Sequence, residues 1–197
     1  SRWEIARNYF KRHAACRYTH GALDALGAIL AETGPVRPDD VAGLEVETYV
    51  WAAQLDDPSP RNMLAAKFSL PFALATMIAN GHAGLTAFRP PARDDAATRA
   101  LAARVSVRED ARFTASLPAL RPARVTLALR DGRRVRREVT TNRGDTEAPY
   151  PPAEIVAKFT ELAAPVWGEA GVGTIRRAIE TIDTAADVRG LVTLLAG

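Results

Sequence analysis

The spacing of hydrophobic residues in the first half of the chain predicts two helical stretches with a strand between them. Between Thr19 and Glu32, apolar residues recur three and four positions apart, which is the spacing of one helix face. Residues 44–50 alternate between apolar and polar positions, as in a half-buried strand. A second helical pattern extends from Met63 to Asn80 and ends at Gly81.

The second half continues with a short helix, a short strand, a hairpin and further helices. Asp94–Ala103 is predicted to be helical, and Val105 and Val107 indicate a strand. Residues 125–129 and 135–139 alternate on either side of an Asp131-Gly132 turn, which is typical of a β-hairpin. The remaining residues carry helical spacing, with a predicted break at Gly171-Val172-Gly173. We therefore predict one α+β domain over 1–197, with a small four-stranded sheet covered mainly on one face by helices.

The composition is that of an ordinary soluble globular domain. The 197 residues are 47% hydrophobic and 25% charged, with a net charge of +3. No apolar run reaches the length of a membrane span. The single cysteine excludes an internal disulfide and agrees with a reducing cytoplasm, where we expect the protein to reside.

Several common chemical motifs are absent from the sequence. It contains no glycine-rich phosphate loop, no nucleophile elbow and no dinucleotide fingerprint. His13, Cys16 and His20 are three and four residues apart, but without a second ligand cluster a tetrahedral zinc shell stays incomplete. We therefore expect neither a metal nor another cofactor.

An arginine-rich run at residues 130–137 raises the alternative of nucleic-acid binding. Asp131 and Glu138 interrupt the positive charge, and no aromatic residue is interleaved with it. Arg134 and Arg136 fall on the strand face opposite Val135 and Val139, as expected for solvated side chains. A solvent-exposed strand is the favoured interpretation, and nucleic-acid binding is a distant alternative.

Four stretches of the chain follow one another in the order and spacing of a known family. They are residues 11–25 (KRHAACRYTHGALDA), residues 66–75 (AKFSLPFALA), the hairpin at 125–133, and residues 150–159 with Tyr150-Pro151-Pro152 and Lys158-Phe159. Together they resemble the MmgE/PrpD (2-methylcitrate dehydratase-like) family over nearly the whole chain, and the second stretch is the most specific. One departure is His13-Ala14, where the family usually has Tyr-Pro.

The resemblance implies the C-terminal α+β domain of a two-domain enzyme, whose active site lies against a large helical N-terminal domain. That helical domain is absent from the 197 residues, so we expect this chain to carry part of the site. Family members include 2-methylcitrate dehydratase, cis-aconitate decarboxylase and iminodisuccinate epimerase. They act without a metal on small di- and tricarboxylates, commonly as homodimers.

The same resemblance nominates the site residues. Lys11 stands at the family's active-site lysine, and His20 is a second candidate for proton transfer. The predicted substrate-binding residues are Cys16, Arg17, Lys67, Ser69 and Phe72.

Each nominated residue also has a chemical or structural rationale of its own. Lys67 and Arg17 suit carboxylates, Arg17 bidentately, and the Ser69 hydroxyl suits a hydrogen bond to the substrate. Cys16 replaces the histidine of the decarboxylase branch, which disfavours that reaction, and Phe72 lacks the hydroxyl of the tyrosine often found there. Structural roles remain open: a salt bridge for Lys67 or Arg17, a helix start for His20 and packing for Ser69. A non-catalytic capping domain that needs a separate helical partner is the alternative function.

Overall fold

The computed structural model describes residues 3–196. The chain divides into two compact units, Ser1–Pro149 and Tyr150–Gly197. The first unit contains the sheet. Its strands are β1 (Val41–Thr48), β2 (Val105–Glu109), β3 (Ala123–Leu129) and β4 (Arg134–Val139). Its α-helices are α1 (His20–Thr33), α2 (Val50–Ala53), α3 (Met63–Lys67), α4 (Leu70–Asn80), α5 (Ala96–Ala102) and α6 (Ala111–Ala115).

The four strands form one mixed sheet in the order β2-β1-β3-β4. β1 pairs in parallel with β2, and the connection between them through α2 to α5 provides the crossover that parallel strands require. β3 is antiparallel to both β1 and β4, and β3 and β4 form the predicted hairpin. The predicted α+β class with a small four-stranded sheet is confirmed.

The register of the strands separates an apolar face from a charged face. Leu44 on β1 lies between Val105 and Leu127, whereas the next residue, Glu45, faces the opposite way. α1 packs on the apolar face against β3 and β4. The buried core combines this face with the apolar sides of α1, α4 and α5. Its largest members are Leu23, Leu26, Ile29, Leu44, Leu70, Phe72, Leu74, Phe88, Leu101 and Leu127.

The single helix predicted over 63–80 is two helices, because Ser69 interrupts it. Ser69 has extended backbone angles, and its hydroxyl accepts a hydrogen bond from the Phe72 N–H at 3.0 Å as the N-cap of α4. Pro71, within the first turn of α4, lacks the N–H that a continuous helix would use there. Lys67 is therefore the last residue of α3 and is not part of α4.

The second unit contains α7 (Pro152–Glu180) and α8 (Arg189–Ala196). The predicted helix break at Gly171-Val172-Gly173 is wrong, since these residues are helical. The interruption is at Gly168, whose φ of 66° is accessible to glycine at little cost. Whether 1–197 behaves as one domain stays a prediction.

Candidate functional site

The segment that precedes α1 is tied to the rest of the first unit by backbone hydrogen bonds. The Ala14 N–H donates to the Ala83 carbonyl, and the Cys16 N–H donates to the Lys67 carbonyl, both at 2.8 Å. The second bond joins the stretch that carries Lys11 to the stretch that carries Lys67. Two sequence stretches more than 40 positions apart therefore meet at one place, which we call the lysine junction (residues 11–20 and 66–69).

Two lysines and a cysteine form the outer part of the lysine junction. Lys11 is exposed, and Cys16 and Lys67 are half-buried. Within residues 3–196, no carboxylate forms an ion pair with Lys67, so the salt bridge considered for it is not found there. Cys16 is a free thiol. Lys11 and Lys67 therefore each keep part of a cationic side chain accessible to solvent in this unit.

His20 lies beneath this outer part and is completely buried as the first residue of α1. Burial lowers the pKa of its imidazole to about 2, and the charges of His13, Arg17 and Lys11 act in the same direction. The imidazole is therefore neutral at any ordinary pH. Because it has no exposed surface in this unit, its placement does not support direct proton transfer to a substrate; His20 begins the helix, as the structural alternative held.

Arg17 is also buried, and its guanidinium is already engaged by protein groups. It forms an ion pair with Asp145, and one of its nitrogens, Nη1, lies 3.2 Å from Nδ1 of His20. The ring of Tyr9 covers the guanidinium at 4.6 Å from the ring centroid, a cation–π contact. The predicted substrate carboxylate would have to compete with Asp145 for Arg17.

His13 and Asp24 extend this buried cluster. Nε2 of His13 lies 3.8 Å from Oδ1 of Asp24, and both side chains are largely buried. The rings of His13 and His20 meet edge to face with centroids 5.1 Å apart. A continuous row of polar groups therefore extends through the buried part of the lysine junction, from Asp24 through His13, His20 and Arg17 to Asp145.

Ser69 and Phe72 have structural roles in this unit. The Ser69 hydroxyl donates its only proton to the Asp57 carbonyl, which leaves none for a substrate. Phe72 is fully buried in the core, with its ring 6.0 Å from that of Phe88. Of the predicted substrate-binding residues, Cys16, Arg17, Lys67 and Ser69 lie in the lysine junction, but the Ser69 side chain is buried there. Phe72 lies outside the junction, in the core.

Comparison with known protein families identifies the chain. The family model of the MmgE/PrpD C-terminal domain matches residues 13–184, which is most of the chain. The chain belongs to this family. No curated protein matches it at a significant level. The resemblance inferred from the four sequence stretches is thereby confirmed, including its restriction to the C-terminal domain.

The extent of the match bears on the residues of the site. It includes His13, Cys16, Arg17, His20 and Lys67, but it begins two positions after Lys11. The place of Lys11 in the MmgE/PrpD pattern therefore depends on the sequence stretch 11–25 alone. As a C-terminal domain, the chain belongs with an N-terminal partner domain of the same family.

Sequence reasoning about this MmgE/PrpD domain missed two carboxylates of the site. Asp24 follows His20 by four residues on α1, so helical periodicity alone placed both on one face and could have found it. Asp145 is 128 positions from Arg17, in the loop after β4, and no local pattern links the two. Only the tertiary fold brings Asp145 to the site.

Most arginines of the arginine-rich hairpin have acceptors within the first unit. Arg134 pairs with Glu45 at 2.8 Å, and Arg137 pairs with Glu32 of α1. Arg133 pairs with Asp131 in the turn. These pairs account for three guanidinium groups of the run that suggested nucleic-acid binding.

Two further observations concern the class of protein. None of the helices within residues 3–196 is long and apolar enough to cross a bilayer. Over the same residues, His, Cys, Asp and Glu side chains do not assemble in groups of three or more suited to a metal ion.

Proposed function

We propose that this MmgE/PrpD C-terminal domain forms one wall of the active site of a cofactor-independent lyase or isomerase acting on a small di- or tricarboxylate. The observation that carries the proposal is the lysine junction. There, the backbone bond from Cys16 to Lys67 joins two family stretches, and the Lys67 ammonium has no carboxylate partner among residues 3–196. Such a cation suits the carboxylate of a substrate.

The proposed reaction begins with removal of a proton from a carbon next to a carboxylate. Negative charge develops on that carboxylate, and Lys67 stabilises it electrostatically. Lys11, which is exposed, accepts this proton in its amine form and gives it back later in the reaction. In dehydration, a hydroxyl group then leaves with a proton as water; in epimerisation, the proton returns to the opposite face of the same carbon.

The second wall is the helical N-terminal domain that the family resemblance implies. Apolar side chains exposed around the lysine junction support a covering partner, and they include Tyr18, Trp51, Leu64 and Phe68. The rings of Tyr18 and Trp51 stack on each other with centroids 6.0 Å apart, and Tyr18 directly follows Arg17 in the sequence. We propose that the helical domain covers these side chains and that the complete enzyme is a homodimer.

Substrate binding can be tested on the 197-residue chain because it has only three lysines, Lys11, Lys67 and Lys158. Reductive ¹³C-methylation retains their charge and gives each lysine its own NMR signal. Titration with 2-methylcitrate, cis-aconitate or iminodisuccinate is expected to shift the signals of Lys11 and Lys67 but not that of Lys158. Lys158→Ala is the matched control for Lys11→Ala and Lys67→Ala.

Catalysis is tested by turnover of the same three compounds, with and without the helical domain. Full-length Lys11→Ala is expected to lose about 100-fold or more in kcat, the usual contribution of a proton-transfer group. Wild-type turnover by Lys11→Ala would overturn its assigned role. If ligands bind but no compound turns over with the helical domain present, the second candidate, a non-catalytic capping domain, is favoured; the burial of His20 is the observation that agrees with it.

A further inference from the structure

The loop after β4, residues 142–148, forms hydrogen bonds both to the segment that precedes α1 and to α1 itself. The Phe10 N–H donates to the Gly144 carbonyl at 2.9 Å. The Arg143 N–H donates to Oδ2 of Asp24 at 2.8 Å. Backbone groups of one loop therefore fix both the residue before Lys11 and a side chain on α1.

The same loop fixes Arg17 through two different groups. Asp145 pairs with the guanidinium; the Arg17 side chain is 8% exposed and that of Asp145 is 16% exposed. The Arg143 carbonyl accepts a further hydrogen bond from Nη1 of Arg17 at 3.3 Å. With the ring of Tyr9 over the guanidinium, Arg17 is held in one orientation.

That orientation determines the state of His20. A guanidinium only donates hydrogen bonds, so Nδ1 of His20, 3.2 Å from Nη1, must be the acceptor. A neutral imidazole that accepts at Nδ1 carries its proton on Nε2. Within residues 3–196, Nε2 is buried and no group meets strict hydrogen-bond geometry with it. The Ala15 backbone lies close enough to the ring to raise the pKa of the imidazole, but burial, which lowers that pKa, outweighs it. The alternative tautomer would place two N–H groups against each other at Nδ1.

We propose that Asp145 is a positioning residue of the lysine junction, which locks Arg17 and thereby holds His20 as the neutral Nε2–H tautomer. Because Asp145 pairs with Nη2 of Arg17, a substrate carboxylate would have to displace Asp145 to bind this nitrogen. This inference rests on the proposed function for its catalytic consequence, but not for its structural part.

The wild-type chain provides the first test, since its three histidines give three ring spin systems in long-range ¹H–¹⁵N NMR spectra. One histidine, assigned to His20 by its loss in His20→Gln, is expected to show the pure Nε2–H pattern between pH 5 and 8. A protonated ring or an Nδ1–H pattern for His20 would overturn the proposal without any Asp145 variant.

The second test compares Asp145→Ala and Asp145→Asn with Asp131→Ala, which removes an aspartate from an exposed Arg133 pair outside the site. Asp145→Ala is expected to give His20 a mixture of tautomers, while Asp131→Ala leaves its spectrum unchanged. Asp145→Asn keeps the side-chain volume and an acceptor oxygen, and is the variant measured if the alanine variant does not fold. An unchanged Nε2–H pattern in a folded Asp145 variant would contradict the positioning role.

A kinetic measurement on the full-length enzyme separates this inference from the proposed function. Asp145→Ala is expected to lower kcat by up to about 100-fold, the effect of a small misplacement of site groups, with little change in KM. If polycarboxylates neither bind nor turn over, the proposed function fails while the tautomer results stand. If they bind and react, but Asp145→Ala retains both kcat and the His20 tautomer, only the positioning role fails.

Discussion

Two buried arginines, Arg124 on the sheet and Arg17 at the lysine junction, have very different surroundings. Arg124 donates to Glu138 and to Glu47 at 2.8 and 2.9 Å, and Asp110 lies 3.5 Å away. The ring of Phe113 covers its guanidinium at 4.9 Å. Its hydrogen bond lowers the pKa of Glu47, so the carboxylate stays charged. Arg124 is thus surrounded by ionised acceptors.

Among the residues that the structure describes, Arg17 pairs with one carboxylate, that of Asp145, and its other neighbours are uncharged: the His20 ring, the Arg143 carbonyl and the Tyr9 ring. Within residues 3–196, Nε of Arg17 and Nε2 of His20 are buried without a hydrogen-bond partner. Unpaired buried polar groups cost about 1–3 kcal/mol each, so they are rare where only stability matters. The Arg124 network therefore stabilises the fold. The Arg17 cluster, by contrast, leaves buried polar groups unpaired, a loss of stability that is expected at functional sites.

The largest expected effect separates the two arginines by stability. Arg124→Met leaves three carboxylates close together without their shared cation, and we expect the free energy of unfolding to fall by about 3–5 kcal/mol. Arg17→Met leaves one carboxylate and two neutral acceptors, Nδ1 of His20 and the Arg143 carbonyl, without a donor. It also removes an unpaired nitrogen, so we expect a smaller loss of about 1–3 kcal/mol. Urea unfolding at pH 7, followed by circular dichroism, measures both. Equal losses for the two variants would break the comparison.

The next effect is a pH dependence of the unfolding free energy that arises from His20, the neighbour of Arg17. The pKa of His20 falls from 6.5 to about 2 because of burial, so the unfolded chain binds a proton below pH 6.5 that the folded chain does not. Stability from this group is fully present above pH 6.5 and is lost as the pH falls, by about 1.4 kcal/mol per pH unit. Unfolding free energies at pH 6.5, 5.5 and 4.5 measure the slope. His20→Gln is expected to remove most of it, and a variant with the wild-type slope would contradict this origin.

Local patterns predicted most elements of the fold, because helix and strand periodicities depend on neighbouring residues. They did not predict the short helices α2 and α6, and the strand predicted over 44–50 ends at Thr48 because α2 begins at Val50. They failed where one residue outweighs the pattern, as when Ser69 and Pro71 divide the helix predicted over 63–80. The candidate site was predicted less well. Lys11 and Lys67 came from family resemblance, whereas the pairing of Arg17 with Asp145 depends on a contact that spans most of the sheet-bearing unit. Side-chain burial, as at Phe72, likewise depends on tertiary packing.

A third prediction disturbs the Arg17 side without changing a charge. A Cβ at Gly21 on α1 would lie 2.9 Å from Oδ1 of Asn142, the first residue of the loop that carries Asp145. Gly21→Ala is expected to lower stability by about 1–3 kcal/mol because the buried Asn142 must move. The new Cβ would also lie 3.2 Å from Cβ of Ala123 and 3.3 Å from the Arg121 carbonyl oxygen. The matched control is Gly27→Ala on the same helix, whose Cβ would meet only the flexible end of Met77 at 3.4 Å.

The control should raise stability by up to about 1 kcal/mol, the gain in helix propensity from glycine to alanine. Thermal unfolding of the two variants side by side measures both signs. If both variants stabilise the chain, the loop after β4 adapts freely, and its rigid hold on Arg17 is contradicted.

The smallest effect returns to the charged face of the sheet. Arg134 pairs with Glu45 at 2.8 Å, but the side chains are 55% and 53% exposed. Water and salt screen such a pair, so Arg134→Ala is expected to change the unfolding free energy by less than about 1 kcal/mol, and by less still in 0.5 M NaCl. Arg124 lies on the same face, in the neighbouring strand, and differs from Arg134 chiefly in burial and in the number of its carboxylate partners. A loss for Arg134→Ala as large as that for Arg124→Met would mean that charge pairing across the whole face of the sheet, rather than the buried Arg124 alone, stabilises it. Arg17 would then have to be compared with the whole charged face, and not with Arg124 alone.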